Sequence, residues 1–316
     1  MKWLIVSIFS LFIFSACMKP YHDLRPLEFA GLKYAHSVKT VTLSDGVELA
    51  YVDEGTGEQT IIFVHGLGSY LPAWQKNVEG LRDRYRCIAL DLPGYGKSSK
   101  GNYPIGMAYY ADVIRRFMEA LQIEQAVLAG HSMGGQIAIT LALQHPEKVT
   151  SLVLVAPAGF ERFSAGEAKW FRDVVTADAV RLTPVQQIRA NLAANFHNLP
   201  ADAEFMVTDR IALRGAADFK FYCEAIVQSV NGMLDEPVYE YLPEISQPAL
   251  IIFGENDNLI PNPYLHGGRS REIARIGQER IPDNRVELIP NCGHFAQFEK
   301  PVEVNGAIKS FLSSGK

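Results

Sequence analysis

Leu-Ala-Gly-His-Ser-Met-Gly-Gly, at residues 128–135, places a serine at the centre of the pattern Gly-x-Ser-x-Gly. The mainly apolar run at 125–129 is typical of a buried strand, and the mainly apolar run at 136–144 is typical of a helix. In this pattern a strand turns sharply into a helix and exposes the serine hydroxyl, and the flanking glycines leave room for the turn. The stretch therefore predicts that Ser132 is a nucleophile.

A serine hydroxyl needs a histidine that takes its proton and a carboxylate that orients the histidine. The apolar run at 249–253 predicts a buried strand, and the loop that follows it contains Glu255 and Asp257. Open parallel sheets place their sites just outside the carboxyl ends of the strands. We predict that Asp257 is the acid, with Glu255 as the alternative because it lies two residues away in the same loop.

The histidine with a matching position in the chain is His294. Residues 285–289 alternate between polar and apolar side chains, which predicts a strand with one wet face, and the turn after them contains His294. Four other histidines either mark a helix end or lie in polar stretches without a preceding strand. They are His36, His145, His197 and His266. We therefore predict that His294 is the general base.

An oxyanion hole is predicted to include the turn after the apolar run at 60–64. Two backbone N–H groups, that of Leu67 in this turn and that of Met133 directly after the serine, are suited to bind the negative oxygen of a tetrahedral intermediate. They form the predicted oxyanion hole. His65 in the same turn is interpreted as a structural residue that holds the loop.

These motifs resemble those of the α/β-hydrolase superfamily, in which nucleophile, acid and base follow in this order along the chain. The resemblance covers residues 38–316. Besides the serine turn, it rests on His-Gly at 65–66, Asp-Leu-Pro-Gly-Tyr-Gly-Lys-Ser at 91–98, Gly-Glu-Asn-Asp at 254–257 and Asn-Cys-Gly-His at 291–294. It implies a mostly parallel eight-stranded sheet with helices on both faces, a helical cap insertion, and catalysis without a cofactor.

Two groups within this superfamily are similar to different parts of the chain. Ser-Met-Gly-Gly-Gln at 132–136 and Pro-Ala-Gly-Phe at 157–160 look like the monoacylglycerol lipases and related carboxylesterases. The segment at 292–299 looks more like the meta-cleavage-product hydrolases, which cleave carbon–carbon bonds. That second group usually has asparagine where His131 stands and Gly-Pro-Gly in the loop that here reads Gly-Ser-Tyr at 68–70.

Length and composition indicate one large α/β core with a smaller insertion. The chain has 316 residues, of which 48% are hydrophobic and 21% are charged. Strand and helix patterns alternate except at 160–241, where helical patterns with scattered aromatic residues predominate. We predict a core of residues 38–159 and 242–316 and a cap of residues 160–241, whose aromatic residues contribute to an apolar substrate pocket. Charged cap residues such as Arg210, Arg214 and Asp218 are predicted to lie on the surface.

Several classes of function are excluded. The formal net charge of −5 gives no reason to expect a nucleic-acid partner. Gly-Lys-Ser at 96–98 is not a phosphate-binding loop, because Asp91 stands where such a loop needs its first glycine. The three cysteines beyond position 17, Cys87, Cys223 and Cys292, are an odd number for a disulfide framework, and no cluster has the spacing of metal ligands. No oligomeric state is predicted.

The N-terminus predicts export and attachment to a membrane. An apolar stretch at 3–14 has the length of a signal peptide and is short for a membrane span. Ser-Ala-Cys at 15–17 resembles the bacterial lipoprotein signal, in which the cysteine is lipid-modified and becomes the first mature residue. We predict a signal peptide at 1–17 with Cys17 as the lipid attachment site, a tether at 18–37, and a lipid-anchored protein of the bacterial cell envelope. An uncleaved N-terminal anchor is the alternative.

The patterns and the resemblance lead to one predicted function and two alternatives. The predicted function is a membrane-anchored serine hydrolase that cleaves carboxylic esters of short or medium acyl groups, such as monoacylglycerols, with Ser132 as nucleophile, His294 as base and Asp257 as acid. The first alternative is a carbon–carbon hydrolase with the same triad. The second is a binding protein that uses the fold as a receptor.

Overall fold

The computed structural model describes residue 21 and residues 23–314. Eight strands in these residues form one sheet in the order β1-β2-β4-β3-β5-β6-β7-β8. The strands are β1 (Lys39–Thr42), β2 (Glu48–Glu54), β3 (Thr60–Val64), β4 (Arg86–Leu90), β5 (Ala126–His131), β6 (Val149–Val155), β7 (Ala249–Gly254) and β8 (Asn284–Ile289). Strand β2 runs antiparallel to β1 and β4, and the other neighbouring pairs are parallel. The expected mostly parallel eight-stranded sheet is confirmed.

Helices connect the strands and cover both faces of the sheet. They are α1 (Gln75–Leu81), α2 (Met107–Ala120), α3 (Met133–Gln144), α4 (Ala165–Val174), α5 (Ala177–Arg181), α6 (Val185–Ala193), α7 (Glu204–Ala212), α8 (Phe219–Asp235), α9 (Ser270–Arg280), α10 (Ala296–Glu299) and α11 (Pro301–Ser314). Helices α2, α3 and α9 contribute to one large apolar cluster, and α1 and α11 contribute to a second.

The central strands are apolar throughout because both of their faces are covered. Every residue of β3, β5 and β7 is buried. In β3, Ile62 and Val64 belong to the first apolar cluster, whereas Ile61 and Phe63 belong to the second. This division follows from the two-residue repeat of a strand, which points successive side chains to opposite faces. Strand β8 at the edge of the sheet is only partly buried, which agrees with its alternating sequence.

Helices α4 to α8 lie between β6 and β7 in the chain, within the segment predicted as the cap. They pack mainly on one another, with contacts between α4 and α8, α5 and α8, and α6 and α7. Helix α8 also contacts α2 of the core. This arrangement leaves space between the cap helices and the carboxyl ends of the strands.

Part of the predicted tether at 18–37 is packed against the rest of the protein. Phe29 and Leu32 are buried, and the Leu27 N–H donates to the Ala212 carbonyl of α7 at 3.1 Å. Tyr34 donates a hydrogen bond to the buried carboxylate of Asp91. We call residues 26–34 the N-terminal strap.

The predicted signal peptide and its lipid attachment site at Cys17 lie outside the described residues. In the part of the chain that the structure describes, no helix is both long enough and apolar enough to cross a membrane.

Candidate active site

Ser132 occupies the sharp turn between β5 and α3. Its backbone has φ of 53° and ψ of −118°, a conformation that is strained for a residue with a side chain and that is characteristic of functional sites. A Cβ atom at Gly130 would collide with the backbone of Gly134, and one at Gly134 would collide with the Val64 carbonyl of β3. Both glycines are therefore required by the close approach of the helix and the strands, as the sequence predicts.

His294 and Asp257, which are 37 residues apart in the chain, form a direct hydrogen bond. His294 Nδ1 lies 2.8 Å from Asp257 Oδ2, and 4% and 0% of the two side chains are exposed. Because a carboxylate only accepts hydrogen bonds, Nδ1 carries the proton and Nε2 is free to act as a base. Asp257 Oδ1 accepts hydrogen bonds from the N–H groups of Leu259 and Ile260, which hold the carboxylate in place.

Glu255, the alternative acid, does not take part in this pair. Its carboxylate is exposed and lies 3.8 Å from the Arg271 guanidinium. The structure therefore places Asp257, and not Glu255, next to the imidazole.

Ser132 and His294 line the same cavity. Among the described residues, no hydrogen bond joins the Ser132 hydroxyl to the His294 imidazole. Hydrogen bonds between a nucleophile and its base are often long or poorly aligned in unliganded enzymes and tighten when substrate binds. The structure thus joins the predicted acid and base directly, and the predicted nucleophile lines the same cavity as the base.

The predicted oxyanion loop lies against Ser132. A Cβ atom at Gly66 would be 3.1 Å from the Ser132 Cβ, so the loop that contains Leu67 passes directly beside the serine. Met133 is the first residue of α3, where N–H groups have no partner within the helix. Within the described residues, neither the Leu67 N–H nor the Met133 N–H donates a hydrogen bond. Both groups are available to a substrate oxygen.

His65 holds the oxyanion loop, as the sequence suggests. Its Nδ1 lies 2.9 Å from the Gly66 carbonyl, and its Nε2 accepts a hydrogen bond from the Leu92 N–H at 3.1 Å. The ring is completely buried, and this burial lowers its pKa to about 4. The imidazole is therefore neutral near pH 7.

We expect His65 to make the protein less stable in acid. The unfolded chain binds a proton at an ordinary histidine pKa near 6.5, whereas the folded protein stays unprotonated at His65 down to about pH 4, so acid favours the unfolded state. Between pH 7 and pH 5 this site should lower the free energy of unfolding by about 2 kcal/mol. Urea unfolding at the two pH values measures the change. A His65→Gln variant should lose that part of the pH dependence, and an unchanged dependence in the variant would contradict the assignment.

His131 was not identified as a site residue from the sequence. Its Nε2 lies 3.1 Å from the His294 carbonyl, and the two rings are 4.7 Å apart. Burial, together with the neighbouring His294, holds the pKa of His131 well below its usual value, so the ring is neutral and Nε2 donates its hydrogen to the carbonyl. His131 thereby holds the backbone of the candidate base. In the sequence, the only feature that pointed to a role of His131 in the site was its position directly before Ser132.

The cavity has a volume of about 850 Å³ and lies between the core, the cap and the N-terminal strap. Most of its lining is apolar, and each of the three parts of the fold contributes side chains. Examples are Phe29 and Leu32 from the strap, Leu67 and Phe295 from the core, and Phe171 and Met206 from the cap.

Arg210 also lines this cavity, so its prediction as a surface charge is wrong. Its Nη2 donates to the Val180 carbonyl at 2.9 Å, and its Nη1 is buried without a hydrogen-bond partner among the described residues. The guanidinium carbon lies 4.9 Å and 5.3 Å from the ring centroids of Phe219 and Tyr222. Arg214 and Asp218 are exposed, as predicted. Helix α7 turns Arg210 inward, and this orientation is set by the packing of the cap rather than by the local sequence pattern.

Metal ligands and cysteine thiols are the other groups that could take part in catalysis. In residues 21 and 23–314, no three His, Cys, Asp or Glu side chains are arranged to hold a metal ion. Cys87, Cys223 and Cys292 are free and buried. Burial raises the pKa of the Cys292 thiol far above its usual range, so it cannot supply a thiolate nucleophile near His294.

Residues 59–301 match a protein-family model described as alpha/beta hydrolase fold. The chain belongs to the α/β-hydrolase fold family. In this α/β hydrolase, the matched range contains Ser132, Asp257 and His294 as well as the cap helices.

The names of similar proteins state several different activities. The putative non-heme bromoperoxidase BpoC of Mycobacterium tuberculosis is 32% identical over 281 residues, which cover 85% of this chain and 99% of the relative. A thermophilic esterase from Thermogutta terrifontis is 26% identical, with a TM-score of 0.70 over 88% of this chain and 98% of the other. The meta-cleavage product hydrolase CumD from Pseudomonas fluorescens IP01 is also 26% identical, with a TM-score of 0.71 over 87% and 98%. A membrane phospholipase A is 28% identical, with a TM-score of 0.70 over 88% and 86%. The α/β hydrolase described here is therefore a hydrolase with esterases and carbon–carbon hydrolases among its relatives.

Proposed function

We propose that this α/β hydrolase cleaves carboxylic esters of short or medium acyl groups, such as monoacylglycerols, through an acyl-enzyme intermediate. The observation that carries the proposal is the buried His294–Asp257 hydrogen bond at a cavity that Ser132 also lines. The mostly apolar lining suits an acyl chain, since ligand sites bury apolar groups and orient them with few polar ones. The similarity to an esterase supports the same reading.

The reaction follows from the positions of these groups. Ser132 attacks the acyl carbonyl while His294 Nε2 takes its proton, and Asp257 keeps the imidazole in the tautomer that allows this. The N–H groups of Leu67 and Met133 stabilise the negative oxygen, and each such donor lowers the barrier by about 3 kcal/mol. His294 then protonates the leaving alcohol, and water repeats the sequence on the acyl-enzyme.

A series of p-nitrophenyl and glyceryl esters of increasing acyl length tests the proposed function. With purified protein that lacks residues 1–17, we expect turnover of these esters, with kcat/KM rising with chain length until the cavity of about 850 Å³ is filled. Each methylene group buried on binding contributes about 0.8 kcal/mol, which is roughly a fourfold gain. Absence of turnover with every ester would refute the proposal.

The proposal includes attachment of the enzyme to a membrane through a lipid on Cys17. It rests on the Ser-Ala-Cys pattern at 15–17 and on the preceding apolar stretch, and the similarity to a membrane phospholipase A is consistent with it. A lipoprotein carries several acyl chains, which suffice for stable anchoring. In bacteria that express the full chain, Cys17→Ser should move the activity from the membrane fraction to the soluble fraction. Continued membrane attachment of this variant would favour the uncleaved anchor.

Hydrolysis of a carbon–carbon bond is the second candidate, and Arg210 is the observation that favours it. Arg210 lines the cavity, and its Nη1 has no hydrogen-bond partner among the described residues. A guanidinium suits a substrate that bears a carboxylate, as ring-fission dienoates do. The similarity to CumD supports this candidate. Incubation with a ring-fission dienoate, followed by its visible absorbance, distinguishes the two. If the absorbance of the dienoate is lost and no ester is turned over, the enzyme is a carbon–carbon hydrolase and the proposed ester hydrolysis is refuted.

A further inference from the structure

We infer that Glu299 is a positioning residue that fixes the backbone of His294 by clamping it to the cap. This inference rests on the proposed role of His294 as the base. Glu299 Oε2 accepts hydrogen bonds from the Gly293 N–H at 2.8 Å and from the His197 N–H at 3.1 Å. Its Oε1 accepts one from the Asn198 N–H at 2.8 Å. A single carboxylate thus joins the residue before the base to two residues of the cap.

We call residues Asn195 to Asn198, which begin two residues after the end of α6, the cap loop. Besides the Glu299 contacts, the Phe295 N–H donates to the Asn195 carbonyl at 3.0 Å. The ring of Phe196 packs against Phe295 with 5.3 Å between the centroids. The cap loop therefore contacts the chain on both sides of His294, at residue 293 and at residue 295.

Gly293 shows how closely the two segments approach each other. A Cβ atom at this position would lie 2.6 Å from the His197 nitrogen and from the Phe196 carbonyl carbon, which are backbone atoms that cannot turn aside. Glycine is required here because the cap loop leaves no space for a side chain. The contact between the cap loop and the turn of the base is therefore built into the backbone of both segments.

Glu299 constrains His294 in a way that the contacts of His294 with Asp257 and His131 do not. Asp257 fixes the rotation of the imidazole ring through Nδ1, and His131 holds the carbonyl group of His294 at 3.1 Å. Glu299 holds the chain on the opposite side of His294, one peptide before it, because it binds the N–H of the Cys292–Gly293 peptide. Without the carboxylate, three backbone N–H groups would lose their acceptor. The cap loop would then be held at the base by fewer contacts, which include the Phe295–Asn195 hydrogen bond and the packing of Phe196 on Phe295. A shift of about 1 Å in a catalytic group can slow a reaction up to about 100-fold.

The test compares Glu299→Ala and Glu299→Gln with the wild-type protein and with Glu303→Ala, which removes an exposed carboxylate four residues further along. The readout is the rate of labelling by a fluorophosphonate, which reports activation of Ser132 by the base independently of the ester substrate. We expect Glu299→Ala to label about 10- to 100-fold more slowly than wild type, with kcat for an ester reduced in parallel and KM changed less than about twofold. Glu299→Gln keeps one acceptor oxygen and should recover part of the rate, and Glu303→Ala should match wild type.

The inference is overturned if folded Glu299→Ala labels at the wild-type rate, or if its loss of labelling equals the fraction of unfolded protein measured by circular dichroism. Should Glu299→Ala fail to fold, Glu299→Gln decides the question by the same two criteria. A wild-type protein that labels but cleaves no ester would refute the proposed function and leave this inference standing. The two failures are therefore distinguishable.

Discussion

Ser132→Ala is expected to lower the rate of p-nitrophenyl ester hydrolysis by about five to six orders of magnitude and to abolish labelling by a fluorophosphonate. The reason is that the hydroxyl of Ser132 forms the acyl-enzyme bond in the proposed mechanism. The nearby Cys292 thiol is buried and its pKa is raised far above the usual range.

The fold should not depend on this hydroxyl. Among the described residues the Ser132 side chain makes no hydrogen bond, and the backbone contacts that hold the turn, such as the Ser132 N–H to the Val155 carbonyl at 3.0 Å, remain in the variant. The free energy of unfolding should change by less than about 0.5 kcal/mol, which shifts Tm by no more than about 2 °C. A folded Ser132→Ala variant that keeps its hydrolytic activity would remove Ser132 from the mechanism.

Asp257→Asn is expected to lower kcat by about 10⁴-fold with little change in stability. Asparagine can keep its Oδ1 in place of the carboxylate oxygen that accepts from the Leu259 and Ile260 N–H groups. Its NH2 group would then replace the oxygen that faces His294 Nδ1. Two donors cannot share this hydrogen bond, so the imidazole must place its proton on Nε2, and it can no longer take the proton of Ser132.

Glu255→Gln is the matched control for this prediction. It makes the same chemical change in the same loop, but at a carboxylate that is exposed and contacts Arg271 at 3.8 Å. We expect kcat within about twofold of wild type, because a surface substitution of this kind alters little. The reverse result, with Glu255→Gln inactive and Asp257→Asn active, would mean that the acid had been assigned to the wrong carboxylate.

The serine turn was predictable because its geometry is local. The apolar run before Ser132, the glycines on either side and the apolar helix after it together specify a strand, a sharp turn and a helix. The strands that precede Asp257 and His294 were likewise predictable from their sequence patterns. These elements depend on the residues within one short stretch, and the sequence contains those residues in order.

Arg210, His131 and Glu299 were missed for a different reason. Arg210 lines the cavity because of the way α7 packs in the cap, where it contacts α6, whereas its charge alone suggests a surface position. His131 and Glu299 act on the backbone around His294, and neither a backbone carbonyl nor an N–H group leaves any mark in a sequence. Their roles become visible only when segments distant in the chain are brought together.

The sequence by itself determined the class of fold, since local periodicity and glycine placement specify it. It also predicted serine rather than cysteine as the nucleophile, and its resemblance to the superfamily predicted the order of nucleophile, acid and base. Only the tertiary structure decided that Asp257, and not Glu255, meets His294, that the cap turns Arg210 toward the cavity, and that the cap loop is held at the base. The physical reason is that hydrogen bonds of this kind depend on distances of about 3 Å between groups far apart in the chain, and packing alone sets those distances.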